Sequence, residues 1–280
     1  MSEFLFPLSE TYVAFGDGSS NVAGSFYGLV LIPESSIADL ELKIQAVKTS
    51  YGGQNDHTVH CRELFNEHAR AKSCWSHLSY EDVISLCGSI MEAVAGFDPK
   101  YLIAHIPKSH YPKRFRLKGK GGHPDLVHDV DEKWLQLWAF FRLGGLLDPC
   151  ERIVPDDPKI IPRPKNRPYW NMLIRRSDPG MRVKIIYLDR EETKIRWLSK
   201  SLQWISVAKE LVVENQDGES YLPIEHASSN KPLLLDIADI LTYSLAREFS
   251  GVNQIDYSRY CGEVLVEILP KYGEEIIVGG

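Results

Sequence analysis

Three aspartates, Asp17, Asp189 and Asp239, stand at positions where a carboxylate requires a chemical explanation. Asp239 lies within Leu233–Phe249, a segment that is apolar almost all the way round and therefore predicts a buried helix. A carboxylate there is costly unless it is paired, hydrogen-bonded or bound to a metal. Asp17 and Asp189 each follow an apolar run that predicts a strand. Carboxylates are the oxygen ligands that Mg²⁺ and Mn²⁺ prefer, so the sequence predicts a divalent-metal site.

Each of these acids also has a purely structural alternative. Asp17 stands beside glycine in GDGSS, a composition typical of turns. Asp189 precedes EETK and is suited to cap a following helix. If Pro232 is the first residue of the last long helix, Asp236 falls in its first turn, where a negative charge favours the helix dipole. Asp239 lies a further turn in, where the dipole no longer explains it.

The predicted elements begin with strands and continue with strands that alternate with helices. This order predicts an α/β protein with a mixed β-sheet flanked by helices on both faces. No repeat and no linker divides the 280 residues, so we predict a single domain with long inserted loops and a basic, Pro-rich insertion at about 107–176. The predicted strands are Tyr12–Gly16 and Phe26–Ile32 (a hairpin), Lys100–Ile106, Val183–Leu188 and Tyr221–Glu225. The first predicted helix begins near Ser35 or Ser36, and the last begins near Ser258. Between them we predict helices at Ser79–Gly96, Asp131–Leu147, Trp197–Trp204 and Leu233–Phe249.

The composition is that of an ordinary globular protein, with 44% hydrophobic and 25% charged residues. Neither a signal peptide nor a membrane span is evident, and the five cysteines are scattered without a CxxC pair, so we expect a reduced, cytoplasmic protein. A net charge of −6 excludes a globally cationic nucleic-acid coat.

Two segments, His105–His123 and Lys159–Arg176, are strongly basic and contain no acid. Their Pro and Gly content predicts loops. The loops are either solvated surface or a rim that grips phosphates around the acidic centre. The candidate nucleic-acid contacts are Lys108, Lys113, Arg114, Arg116, Lys118, Lys120 and Lys231.

Four short motifs occur in an order that resembles a known family. They are Phe15–Ser20 (FGDGSS), Thr58–Phe65 (TVHCRELF), Ile185–Arg190 (IIYLDR) and Ile237–Leu241 (IADIL). Together they resemble the bacterial family called domain of unknown function 3800, whose pattern runs strand-D-E-S-G, L-H-x-S-(D/E)-L, a strand ending in Asp, and Q-L-A-D-L. The resemblance spans about residues 12–249 and implies a ribonuclease H-like fold whose carboxylates bind two Mg²⁺ ions and hydrolyse phosphodiesters.

The resemblance implies a role for five residues of this chain. Asp17, Asp189 and Asp239 would be catalytic metal ligands, Glu63 would be a fourth, and His60 would contact a phosphate or move a proton. The chain departs from the pattern because Gly18 replaces the second acid of D-E-S-G, and Ser20 replaces its glycine. If that second acid is a ligand in relatives, this chain has one ligand fewer.

The expected function is therefore a metal-dependent nuclease acting on RNA or DNA. One alternative is a catalytically inactive nucleic-acid-binding or scaffold protein, which the loss of the acid at position 18 favours. Another is hydrolysis of a small phosphorylated nucleotide. A rival site lies in His57–His77, where HxxH and CxxH spacing approximates a structural zinc site, although unrelated surface histidines and buried cysteines explain the same residues.

Overall fold

The hairpin predicted near the start of the chain lies in the middle of the main sheet. Its strands, β1 and β2, are ten residues each and pair antiparallel from Tyr12 opposite Pro33 to Asn21 opposite Gly24. Because the ladder continues to Asn21, Asp17 lies within β1, and the prediction that Asp17 closes the strand is wrong. The interior position fixes which face of the sheet its side chain enters.

The computed structural model describes residues 10–117, 122, 124–130, 132–150, 171–175, 180–189, 210–215, 218–227, 233–252, 255–256, 260–261 and 264–278. The strands are β1 Tyr12–Asn21, β2 Gly24–Pro33, β3 Lys100–Pro107, β4 Arg114–Leu117, β5 Leu126–Asp129, β6 Leu147–Pro149, β7 Asn171–Arg175, β8 Met181–Asp189, β9 Glu210–Asn215, β10 Gly218–Ala227, β11 Val264–Ile268 and β12 Glu275–Val278. The helices are α1 Ile37–Ser50, α2 Cys61–Leu64, α3 Glu67–Arg70, α4 Tyr80–Ala95, α5 Glu132–Gly144 and α6 Leu235–Phe249.

Within the described residues the main sheet has eight strands in the order β11-β3-β2-β1-β8-β10-β9-β7, and β6 pairs with β8 as a ninth. β1, β2 and β3 are antiparallel, whereas β8 runs parallel to β1, and β10 runs parallel to β8. A second sheet contains β12, β4 and β5. The α/β class and the mixed sheet are thus as the sequence predicts.

Two buried clusters show that helices cover both faces of the main sheet. One joins Val13 and Phe15 of β1 to apolar residues of α1, α4 and α6. The other joins Tyr12 and Ala14 of the same strand to α5. We call these the α6 face and the α5 face. None of the described helices is long and apolar enough to cross a bilayer.

Several predicted boundaries are accurate. α4 begins after Ser79, whose Oγ accepts a hydrogen bond from the Asp82 N–H (3.1 Å) while the Asp82 carboxylate accepts one from the Ser79 N–H (3.0 Å). This is the capping box that the sequence predicts.

The helix predicted to reach Leu147 is shorter in the structure. α5 ends at Gly144, and residues 147–149 form β6 instead of continuing the helix.

Two further predictions are wrong, and one lies outside the described residues. The helix expected from about Ser258 is absent at 264–268, where β11 pairs parallel with β3. Neither basic segment is all loop: His105–His123 contains the end of β3 and the whole of β4, and Lys159–Arg176 contains β7. The predicted helix at 197–204 falls among residues that the structure does not describe.

Candidate functional site

Asp17 enters the α6 face because side chains alternate along β1. Val13 and Phe15 pack with α6, and Asp17 follows them at the same two-residue spacing. α6 approaches the sheet closely here, since a Cβ on Gly28, opposite Asp17 on β2, would lie 2.5 Å from Thr242 Oγ1. Thr242 is three residues after Asp239, so the bare backbone at Gly28 allows the helix to bring Asp239 down beside Asp17.

Asp189 reaches the same face through an irregularity in β8. Tyr12 pairs with Val183, but the next residue, Val13, pairs with Ile185, so β8 contains one extra residue at this point. Met181 and Val183 pack on the α5 face before the shift, and Ile185 and Tyr187 pack on the α6 face after it. Such a bulge changes which side chains face which side of the sheet. Asp189 continues the alternation of Tyr187 and therefore joins Asp17 on the α6 face.

The three aspartates act on one another electrostatically. Burial raises the pKa of the Asp17 carboxyl well above its ordinary value, and its charge interaction and hydrogen bond with Asp239 raise the pKa further. Asp189 adds to the rise, whereas the Gly18 backbone N–H opposes it. The elements β1, β8 and α6 therefore bring the three carboxyl groups into electrostatic range of one another, and the raised pKa favours the protonated form of Asp17.

Among the described residues, no group of three or more His, Cys, Asp or Glu side chains has the arrangement that holds a metal ion. The chemistry of the donor set nonetheless fits a hard divalent cation, because all three groups are carboxylates and each residue is partly accessible to solvent.

The Asp239 carboxylate also binds the first residue of α2, Cys61. Its Oδ2 accepts a hydrogen bond from the Cys61 backbone N–H at 2.5 Å. Burial raises the pKa of the Cys61 thiol well above its usual value, and contacts with Cys87 and Asp239 add to the rise. The thiol next to the carboxylate is therefore protonated at neutral pH and adds no charge to the acidic centre.

His60 and Glu63 lie near this contact but do not extend the carboxylate cluster. His60 Nδ1 is buried, has no hydrogen-bond partner among the described residues, and lies 3.9 Å from Glu63 Oε1. The Glu63 side chain is 60% exposed. His60 precedes the residue that binds Asp239 and so borders the centre, whereas Glu63 lies on its solvent side.

Gly18, the departure from the family pattern, lies on the opposite face from the three aspartates. A Cβ at position 18 would lie 2.9 Å from Cδ and Oε1 of Gln136, a buried residue of α5. Gln136 donates a hydrogen bond to Ser20 Oγ at 3.0 Å, so its side chain fills this space. An acid at position 18 of this chain would therefore point away from Asp17, and glycine there removes no ligand from the α6 face.

Three of the basic residues predicted to contact nucleic acid are paired with acids from other segments. Lys113 lies 2.8 Å from Glu274, and Arg114 lies 3.9 Å from Asp129. Arg116 lies between Glu275 (3.0 Å) and Asp125 (3.6 Å). Lys108 is exposed, and Lys118, Lys120 and Lys231 lie outside the described residues, as does most of 159–176.

The residues of the rival zinc site make separate contacts. His57 Nδ1 accepts a hydrogen bond from the Gln54 N–H at 3.1 Å, and His77 Nε2 lies 2.8 Å from the Tyr51 carbonyl oxygen. Cys61 is buried, whereas Cys74 is exposed. These contacts support the alternative of unrelated surface histidines and buried cysteines.

The structure assigns Asp236 a different role from the one predicted. Asp236 lies in the first turn of α6, as predicted, but its carboxylate is buried and lies 2.5 Å from Lys48 Nζ. The sequence contains a signal for this pair, because Lys48 follows Leu40 and Ile44 at a spacing of four, which places a lysine on the buried stripe of α1. Nothing local in the sequence predicts Gln136 or Cys87 as neighbours of the site.

Comparison with known proteins gives no match: no family model, no curated protein and no solved structure is significantly similar to this chain.

Proposed function

We propose that this protein is a divalent-metal-dependent phosphodiesterase of the nuclease type, built on a ribonuclease H-like fold. What supports the proposal is that β1, β8 and α6 direct Asp17, Asp189 and Asp239 to one face of the sheet, where Asp239 and Asp189 raise the pKa of Asp17. These are the three positions at which the family resemblance expects carboxylate ligands. The central position of β1, antiparallel to β2 and parallel to β8, agrees with a fold in which adjacent strands supply the acids.

In this proposal the three carboxylates, once deprotonated, would hold Mg²⁺ or Mn²⁺. Such an ion, when bound, would supply a water molecule of lowered pKa and a positive charge for the leaving oxygen. The protein positions the carboxylates, and the cluster around Phe15 and Tyr187 packs on the same face of the sheet. His60 has a buried Nδ1 without a hydrogen-bond partner among the described residues and precedes Cys61, whose N–H binds Asp239, so it is our candidate for the residue that holds or moves a proton.

The main alternative, an inactive scaffold, was favoured by the missing acid at position 18. That support is weak, because position 18 faces α5. The ion pairs of Lys113, Arg114 and Arg116 favour a second candidate instead, in which the same acids hydrolyse a small phosphorylated nucleotide. Cations already paired with acids add little phosphate affinity. Gel-shift assays at increasing salt distinguish the two substrates, since a polymer binder loses affinity steeply.

The test of the proposal is Asp239→Asn, compared with Asp98→Asn as a control at an aspartate whose side chain is 77% exposed. RNA, DNA and hybrid substrates are incubated with Mn²⁺, and Mn²⁺ binding is measured by calorimetry. We expect Asp239→Asn to lose cleavage and Mn²⁺ affinity, and the control to keep both. Unchanged cleavage in Asp239→Asn would remove this residue from the mechanism. Asp17→Asn is included in the calorimetry, and Mn²⁺ binding that is equal in this variant and the wild type would favour the scaffold.

A further inference from the structure

Lys48 and Asp236 form an ion pair inside the protein, between α1 and α6. The side chains are 1% and 4% exposed, and Lys48 Nζ lies 2.5 Å from Asp236 Oδ2. A buried ion pair costs several kcal/mol per ion in desolvation, which its attraction repays only with additional hydrogen bonds. The groups that supply those bonds show what the pair holds in place.

Both partners bind the segment of residues 57–61, which we call the strap. Lys48 Nζ donates a hydrogen bond to the His57 carbonyl oxygen at 2.8 Å. The Val59 N–H donates to the same Asp236 oxygen at 3.0 Å. Two residues later, the Cys61 N–H donates to Asp239 at 2.5 Å. The strap is thus anchored by Asp236 at one end and holds Asp239 at the other.

The geometry of both elements explains this arrangement. Asp236 and Asp239 are three residues apart on α6 and share one face of the helix. His60, between the two donors, has an extended backbone (φ −114°, ψ 105°). In an extended segment alternate N–H groups point to the same side, so Val59 and Cys61 both direct theirs at α6. Fixing Val59 therefore also fixes the N–H that Asp239 accepts.

We propose that Lys48 and Asp236 are positioning residues, which hold the strap so that the Cys61 N–H fixes the orientation of the Asp239 carboxylate. This inference rests on the proposed function, because it makes the pair a support for the metal ligand. Groups that orient a metal ligand through a hydrogen bond typically change metal affinity or activity about 10–100-fold when removed. The pair would then be retained for geometry and not for stability.

The test uses the double variant Lys48→Met/Asp236→Leu, because replacing both members of a buried pair by apolar residues is often neutral for stability. Thr49→Ala is the matched control, since Thr49 is exposed on the same helix and its hydroxyl donates to the Gln45 carbonyl oxygen of that helix. Amide hydrogen exchange is measured at Val59 and Cys61, with thermal unfolding and Mn²⁺ affinity in parallel. The double variant keeps Asp239, which accepts the hydrogen bond from the Cys61 N–H. A loss of protection at Cys61 would therefore come from displacement of the strap and not from loss of the acceptor.

We expect the double variant to unfold near the wild-type temperature, to lose protection at both Val59 and Cys61, and to bind Mn²⁺ about tenfold or more weakly. Loss of protection at Val59 alone, with Cys61 still protected, would overturn the proposal, as would unchanged Mn²⁺ affinity. The wild type supplies a check that needs no variant: if Val59 and Cys61 already exchange at the rate of free amides, the strap does not exist in solution.

Failure of the proposed function would look different. If the wild-type protein binds no Mn²⁺, the metal site is wrong, and the exchange data still report whether Asp236 controls the Cys61 N–H. If the wild type binds Mn²⁺ through Asp239 but the double variant binds it equally well, the metal site stands and the positioning role is refuted.

Discussion

Two carboxylates one turn apart on α6 are accommodated in opposite ways. Asp236 is buried as a charge: Lys48 lies 2.5 Å away, and the Val59 N–H binds the same oxygen. Asp239 lies against a second acid, Asp17, whose pKa is raised by burial and by that neighbour. The first arrangement compensates the carboxylate with a cation, whereas the second raises the pKa of Asp17 and so favours its protonated form.

The difference separates a structural acid from a candidate functional one. A compensated buried pair is complete and gains nothing from binding a further cation. Acids gathered so closely that one must keep a proton form a site that a divalent cation can stabilise, and perturbed pKa values of this kind cluster at functional sites. The proposed function thus gives the same helix a supporting acid and a candidate ligand within one turn.

Lys48→Met tests the structural side of this contrast and has the largest expected effect on stability. It leaves Asp236 buried without its cation, and breaking a buried pair from one side costs about 3–5 kcal/mol. Urea denaturation measures this loss. Thr49→Ala should remain near the wild type, and a loss below about 1 kcal/mol, the range of a surface pair, would mean that Lys48 is not buried as described.

Gly18→Glu sharpens the contrast by adding an acid on the α5 face of β1. The new side chain meets Gln136, which lies 2.9 Å from the position of its Cβ, and overpacking of this kind costs about 1–3 kcal/mol. Mn²⁺ affinity should not change, because the added carboxylate points away from Asp17. Gly18→Glu/Gln136→Ala should recover part of the stability. A gain in Mn²⁺ affinity would show that position 18 reaches the acidic centre.

Much of this architecture follows from local patterns, but the connections between distant residues do not. The hairpin, the α4 capping box and the strand carrying Asp189 are local signals, and the structure contains all three. The partner of Asp236 is 188 residues away in sequence, so the dipole seemed a sufficient explanation for its charge. The basic segment similarly appeared unopposed because Glu274 and Glu275 come from the far end of the chain.

The site itself was predicted for a partly mistaken reason. The sequence places Asp17 and Asp189 at strand ends, yet Asp17 lies inside β1. The two residues share the α6 face because side chains alternate between the two faces along both β1 and β8. The register shift between Tyr12 and Val13 determines that face for Asp189. A bulge depends on how two strands pair, and neither strand's sequence alone reveals it.

Asp17→Asn tests the second arrangement. We expect it to increase stability, by less than Lys48→Met decreases it. Because the folded state holds this proton more tightly than the unfolded state, Asp17 contributes its full stability below the unfolded-state pKa of about 3.9 and loses it as pH rises through the raised folded-state pKa. In chelator-treated protein, Asp17→Asn should therefore be more stable than the wild type at neutral and alkaline pH. The difference should vanish towards pH 4, while Asp98→Asn follows the wild type throughout. Thermal unfolding over this pH range measures both.

His105 represents a third way to bury a titratable group, and its effect should be the smallest. Its ring stacks on Phe26 (centroids 4.2 Å apart) and lies near Phe249 (4.6 Å), and burial lowers its pKa, with His110 adding to the decrease. The buried ring is thus kept neutral by losing a proton, where Asp17 is kept neutral by retaining one. Its contribution is complete above the unfolded-state pKa of about 6.5 and is lost as pH falls towards the lower folded-state value.

His105→Phe keeps an aromatic ring between Phe26 and Phe249 but cannot titrate. The free energy of unfolding of this variant should fall less than that of the wild type as pH decreases from about 7 to 5, a range in which histidine takes up its proton. His68→Gln, at an exposed histidine, should retain the wild-type slope. Parallel slopes for His105→Phe and the wild type would mean that the His105 ring accepts a proton equally well in the folded and unfolded states, which contradicts its burial between the two phenylalanines.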